Sequence, residues 1–216
     1  MKIALVGGSG FVGSALLQEL LHRGHEVTAL ARHVNKIAPQ ENLTVVEADA
    51  YDASQVAKAV SGADAVVSAF NPGWTNPNIY DDFLRGAKAI QEGTKQAGVK
   101  RLLVVGGAGS LYDEHGQQLV DSPHFPKEIF NGANGARDYL ASLQTETQLD
   151  WTLLSPPPAL QLGSIGERTG KYRTGKDSPL STNGGLGTIS AADLAVALID
   201  ELENPHHPNA RFTVAY

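Results

Sequence analysis

The sequence predicts an α/β fold: a mostly parallel sheet with helices on both faces. Three observations carry this. Apolar runs of strand length alternate with helical patterns along the whole chain, the mark of parallel strands joined by crossover helices. The first of these units, Met1-Lys-Ile-Ala-Leu-Val-Gly-Gly-Ser-Gly-Phe-Val-Gly-Ser14, places a glycine turn between a strand and a helix. No long linker or internal repeat breaks the alternation, so residues 1–216 are expected to form one domain.

The elements follow in order. Ile3 to Val6 is a buried-type apolar run, and Ala15 to His22 an amphipathic helix closed by Gly24. Strands are expected at residues 25–31, 43–47, 65–70, 101–105 and 151–154, with a last one at 211–215. Helices are expected at 53–60, at 79–97 with Gly98 as its cap, from Pro126 to near Gln148, and from the Ser190-Ala-Ala-Asp193 cap to about Leu202. Residues 159–189 are rich in Gly, Ser, Thr and Pro and read as coil, with a short strand near Tyr172. A coil of that length is a candidate mobile lid, and residues 155–190 form the expected substrate-side region, a small C-terminal lobe.

Seventeen basic and 23 acidic residues give a net charge of −6, which argues against a nucleic-acid partner. The absence of cysteine excludes disulfide and thiol chemistry. There is no signal-peptide pattern and no apolar stretch of membrane-spanning length, so a cytoplasmic protein without a membrane partner is expected. His206-His207 has no spaced companions and reads as a solvated turn rather than a metal site.

Gly8, Gly10 and Gly13 satisfy G-x-G-x-x-G, and Gly7, Gly10 and Gly13 are spaced by three. Between a strand and a helix this pattern is the dinucleotide-binding turn of a doubly wound Rossmann sheet. Glycine permits the sharp turn and the close approach of a pyrophosphate, and the helix N-terminus offers unpaired N–H groups. At the end of the second strand, where an acid would hold a ribose 2′-hydroxyl, stands Arg32, with His33 and Lys36 nearby. A guanidinium there suits a 2′-phosphate, hence NADP, with NAD possible; a solvated basic turn is the alternative. Asp49 is placed either for the adenine amino group or as a helix cap. Ala69, Phe70 and Asn71 should border ribose and pyrophosphate, and Gly109 and Ser110 the nicotinamide. Trp74, in a loop after the fourth strand, could stack on a flat substrate or anchor its loop.

Four stretches carry a family resemblance: residues 2–13, Val104-Val-Gly-Gly-Ala-Gly-Ser-Leu111, Leu149-Asp-Trp-Thr-Leu-Leu-Ser-Pro156 and Ile189-Ser-Ala-Ala-Asp-Leu-Ala195. Asp200 to Pro205 followed by Arg211 to Ala215 adds to them. The chain resembles the atypical short-chain dehydrogenase/reductases, in particular the NADH-flavin-reductase-like and biliverdin-reductase-B-like group with NmrA-like relatives. The resemblance implies a cradle of Gly7, Ser9, Gly10, Phe11 and Val12. It implies Arg32 and Lys36 on the 2′-phosphate and Asp49 and Ala50 beside adenine. It also implies Ser110 facing the nicotinamide as the catalytic-site residue, with Pro156 and Pro157 opposite. Flavin or another flat aromatic acceptor is the implied substrate class. Where the biliverdin-reductase-B-like proteins often carry His, this chain has Pro158.

Classical relatives use Tyr with Lys four residues on, so that the phenol can pass a proton. Only Tyr172 has such a lysine, Lys176, and it lies outside the helix after the fifth strand; Tyr139 lies on that helix without the lysine. Hydride transfer to a flavin needs no side-chain acid. The expectation is therefore an NADPH-preferring flavin reductase, a monomer or small homo-oligomer, with Trp74, Leu111 and Tyr112 against the acceptor. A non-catalytic NmrA-type sensor and a sugar-nucleotide epimerase or dehydratase are the alternatives.

Overall fold

In the computed structural model, which describes residues 1–160, 165–182 and 185–216, the chain runs as follows. Strand β1 (Lys2–Val6) leads to α1 (Phe11–His22), then β2 (Glu26–Ala31), β3 (Leu43–Glu47), α2 (Ala53–Val60), β4 (Ala65–Ser68) and α3 (Ile79–Gln96). Next come β5 (Arg101–Val105), α4 (Lys127–Leu143), β6 (Asp150–Ser155), β7 (Ala159–Leu160) and β8 (Arg173–Gly175). The pairs β9 (Ser181–Thr182) and β10 (Gly185–Leu186), then β11 (Thr188–Ile189), α5 (Ala191–Glu203) and β12 (Ala210–Ala215), complete the chain.

Eight strands form one sheet in the order β3-β2-β1-β4-β5-β6-β12-β8, parallel except for β8, which runs antiparallel to β12. Alternation along β1 shows how it is filled. Ile3 and Leu5 enter the core under α1 and α5, while Ala4 and Val6 enter the core under α2, α3 and α4. The strand order reverses between β1 and β4, and there the crevice at the carboxyl ends opens. Asp52 caps α2 through the Ser54 and Gln55 amides, and Ser190 caps α5 through the Asp193 amide.

Two expectations change. Helix α4 stops at Leu143 instead of running to Gln148, because the Glu146 amide bonds back to the Leu143 carbonyl and the Glu146 carboxylate takes the Gln148 amide. The stretch 159–189 is not loose coil in its described part. β7 pairs with β11, β9 with β10, and β8 extends the main sheet. Between them, Arg168 grips Glu19 of α1 with two bonds, Thr169 and the Gly170 amide bond Asp193, and the Tyr172 hydroxyl donates to Asp200 of α5. These bonds tie residues 168–172 to α1 and α5. Residues 161–164 and 183–184, which belong to the expected lid, lie outside the described residues.

Candidate functional site

The turn after β1 is built by close contacts that exclude side chains. Gly7 has φ +84°, and a Cβ on it would stand 2.6 Å from the Ala69 carbonyl oxygen; one on Gly13 would stand 1.9 Å from the Gly7 carbonyl oxygen. The turn is closed by the Gly10 amide donating to Gly7 O at 2.9 Å. Helix α1 begins at Phe11 with Gly10 as a cap that offers no side chain. The amides of its first turn therefore face the crevice without an intrahelical acceptor. Ser9 and Gly10 are exposed, Phe11 and Val12 half-buried, and Gly8 is buried against Leu5 and Ile37. This cradle, which a Cβ would fill, fits the pyrophosphate of a dinucleotide.

On the adenine side, Arg32 follows β2, beside the Ala48 amide that bonds Ala31 O. Arg32 and Lys36 are exposed and have no ion pair among the described residues. Asp49 does not cap α2, since Asp52 does. One Asp49 oxygen accepts the Tyr51 amide at 3.0 Å, and Asp49 and Ala50 stay half-buried at the rim. Phe70 follows Ala69 directly beside the glycine turn, and its ring meets Tyr51 edge-on at 5.6 Å. Asn71 folds its side chain back onto the Gly73 amide. The structure thus brings the predicted residues of β1, β2, β3 and β4 to one crevice.

The nicotinamide side differs from expectation. Ser110 is 2% exposed, and its hydroxyl accepts from Arg211 Nη1 at 3.2 Å. Arg211 is itself held by Asp177 at 2.7 and 2.9 Å. Gly109 packs on Ala133 and Val120, and Leu111 is 0% exposed, a core residue and not a wall for a substrate. Tyr112 turns toward the Arg211–Asp177 pair, sharing with Arg137 and Leu140 a groove of about 430 Å³ on the far flank of α4. Pro156 is half-buried and Pro157 buried. Trp74 stands apart from Tyr112: it is 56% exposed and rests on Gly132 of α4, where a Cβ would meet its ring at 2.6 Å. The loop following β5 folds inward because the Arg211 charge, sealed under it, needs the Ser110 oxygens as partners.

Tyr139 is 2% exposed and packed in the core, and the Tyr172 hydroxyl donates to Asp200 of α5. Burial pushes the Tyr139 phenol far above its usual value, and burial together with Asp200 does the same to Tyr172. Another depression of about 440 Å³, lined by Lys2, Glu26 and Asn42, lies at the amino ends of the strands, opposite the glycine turn. No group of three or more His, Cys, Asp or Glu able to hold a metal occurs among the described residues, and no described helix is long and apolar enough to cross a membrane.

Sequence reasoning missed Tyr51, Arg85, Phe125, Ile129 and Phe130. Arg85 lies over the Tyr51 ring at 4.2 Å, and the exposed Ile129 and Phe130 open α4 beside the Gly132 seat of Trp74. Of these, Tyr51 had a signal in the glycine inside a helical pattern, Gly86, which marks its close approach, as Gly132 marks that of Trp74.

Comparison with known proteins agrees with the crevice. A family model described as NAD(P)H-binding matches residues 7–205. The YwnB protein of Bacillus subtilis is 39% identical over 99% of this chain and 98% of its own. A solved structure from Bacteroides thetaiotaomicron, named a candidate epimerase, is 46% identical over 100% of this chain and 96% of its own, with a TM-score of 0.91. One from Streptococcus pneumoniae, named a candidate NADH-flavin reductase, is 35% identical over 100% and 99%, with a TM-score of 0.84. With the match running through the glycine cradle to the end of α5, the chain belongs to the NAD(P)H-binding family.

Proposed function

We propose that the protein is an NADPH-preferring reductase that passes a hydride to a flat aromatic acceptor, most readily free flavin. The observation that carries this reading is a glycine cradle without room for side chains at the carboxyl-end crevice of the sheet, while Tyr139 is packed in the core and the Tyr172 hydroxyl donates to Asp200 of α5. The reduced nicotinamide supplies the hydride; a flavin takes it at N5, and water supplies the proton for N1. The protein then has to hold, orient and exclude. Gly7, Gly8, Ser9, Gly10, Phe11, Val12 and Gly13 hold the pyrophosphate, and Arg32 and Lys36 face the 2′-phosphate. Asp49, Ala50, Ala69, Phe70 and Asn71 line the adenosine half. Pro156 bounds the nicotinamide half, and Trp74, exposed after β4, offers its free face to the acceptor. The name of the pneumococcal relative supports the acceptor class.

The test is anaerobic NADPH oxidation with FMN, FAD, quinones and biliverdin in turn. Turnover with a flavin and a preference for NADPH over NADH are expected. Arg32→Ala should weaken NADPH about tenfold, the worth of one charge-assisted phosphate contact. Ser110 is sealed under Arg211, which favours one competing reading, a cofactor sensor of NmrA type. Tight NADPH binding without turnover of any acceptor would replace the reductase by that sensor.

A further inference from the structure

Arg85 has no part in the cofactor reading given so far, yet its setting is built. It stands on α3, 62% exposed, with its guanidinium carbon 4.2 Å over the ring of Tyr51. Tyr51 is fixed in turn by its edge-on contact with Phe70, which borders the glycine turn. Helix α3 comes this close because residue 86 is glycine: a Cβ there would lie 2.3 Å from Phe70 and 3.1 Å from Tyr51. Asp82 takes one Arg85 nitrogen, Nη2, at 3.0 Å and is itself steadied by Asn76. Asp82 is the only carboxylate paired with Arg85 among the described residues, and the guanidinium also meets the Tyr51 phenol.

Across Tyr51 lies the end of β2. Strand β3 ends at Glu47, the register partner of Ala31, and Tyr51 follows four residues later, so Arg32 and Tyr51 share the rim. Burial and Asp82 push the Tyr51 phenol up, while Arg32 and Arg85 both pull it down. A guanidinium that spends one nitrogen on half-buried Asp82, with a second arginine at the end of β2 on the same rim, suits a doubly charged anion.

We propose that Arg85, seated on Tyr51, is a second ligand of the cofactor's 2′-phosphate and sets the preference for NADP together with Arg32. The inference rests on the NADPH reading above. Stacking of the other guanidinium face on adenine is the competing role.

Calorimetry with 2′,5′-ADP and 5′-AMP isolates the phosphate from the nicotinamide. In the wild type 2′,5′-ADP should bind more tightly. Arg85→Ala should weaken 2′,5′-ADP by about fivefold to tenfold and leave 5′-AMP unchanged, while Tyr51→Phe, which keeps the ring, should retain the wild-type ratio. Tyr51→Ala should lower the ratio as Arg85→Ala does. Equal weakening of both ligands by Arg85→Ala would assign the residue to adenine and overturn the proposal, as would no weakening of either. If the wild type binds the two ligands alike, the NADPH preference itself fails. If it prefers 2′,5′-ADP and Arg85→Ala keeps that preference, only the role of Arg85 fails.

Discussion

Residues 7–13 contain four glycines and residues 166–175 contain three, and both stretches border the same sheet. In the first, the glycines are the structure. Backbone approaches backbone so closely that side chains at 7 and 13 have no room. In the second, a Cβ on Gly170 would meet nothing nearer than an arginine nitrogen at 4.0 Å. What shapes that stretch is the set of side chains around the glycines: Arg168 on Glu19, Thr169 on Asp193, Tyr172 on Asp200. Similar composition thus serves one region shaped by backbone contact and another held mainly by side chains from distant elements.

Substitutions can break this contrast. The largest effect is expected at Gly13→Ala, whose methyl would stand 1.9 Å from the Gly7 carbonyl oxygen. It should weaken NADPH by about 100-fold or more in a calorimetric titration, since the cradle must open to accept it. Retained affinity would show that the turn tolerates displacement and is not the binding element.

Next comes Glu19→Gln. Glu19 is 4% exposed and accepts from both Arg23 and Arg168. Arg168, and to a smaller extent Arg23, holds its carboxyl down at about 2, although burial opposes them. A carboxyl depressed on folding stabilises above its unfolded value of 4.5 and loses that contribution as pH falls toward 2. Urea unfolding should show Glu19→Gln less stable by about 2–3 kcal/mol at pH 7, with the gap closing between pH 4.5 and 2. Asp193, likewise held low by Thr169, Gly170 and Tyr216, contributes to the same acid loss in both proteins, so the difference between them isolates Glu19. A gap that persists at pH 2 would show that the side chain's shape, not its charge, fastens the segment.

Gly170→Ala should lower stability by only about 1 kcal/mol, the strain of an alanine at φ +71°, with cofactor affinity unchanged. Hydrogen exchange gives the smallest change. The Gly170 amide, donated to Asp193, should be protected in the free protein and scarcely slowed by NADPH, whereas amides of residues 9–12 should slow on binding. Fast exchange at Gly170 that the cofactor suppresses would restore a closing lid.

The same contrast explains what could be read in advance. The cradle was legible because its glycines all lie within thirteen residues and follow a strand, although the carbonyl that crowds Gly7 comes from Ala69. The Ser190 cap and the Arg32 position were legible for the same reason: each is set by its distance from a strand or helix end. Arg168, Tyr172 and Ser110 were not. Their partners, Glu19, Asp200 and Arg211, lie 149, 28 and 101 positions away, and no local pattern announces a bond across that separation. Leu111 looked like a loop residue beside a ligand, and only the buried Arg211 beneath the loop shows why it turns inward.

The antiparallel β8 has a consequence for self-association. Without it, β12 would leave a six-residue row of open amide and carbonyl groups along one margin of the sheet. With β8 in place, that margin ends in three residues bearing Arg173 and flanked by Lys171 and Lys176. A strand so short and so cationic is a poor template for another chain. Solutions of the folded protein should therefore resist fibre growth from this side, and reversing the charges at 171, 173 and 176 should leave that resistance intact, whereas replacing them with valine should erode it.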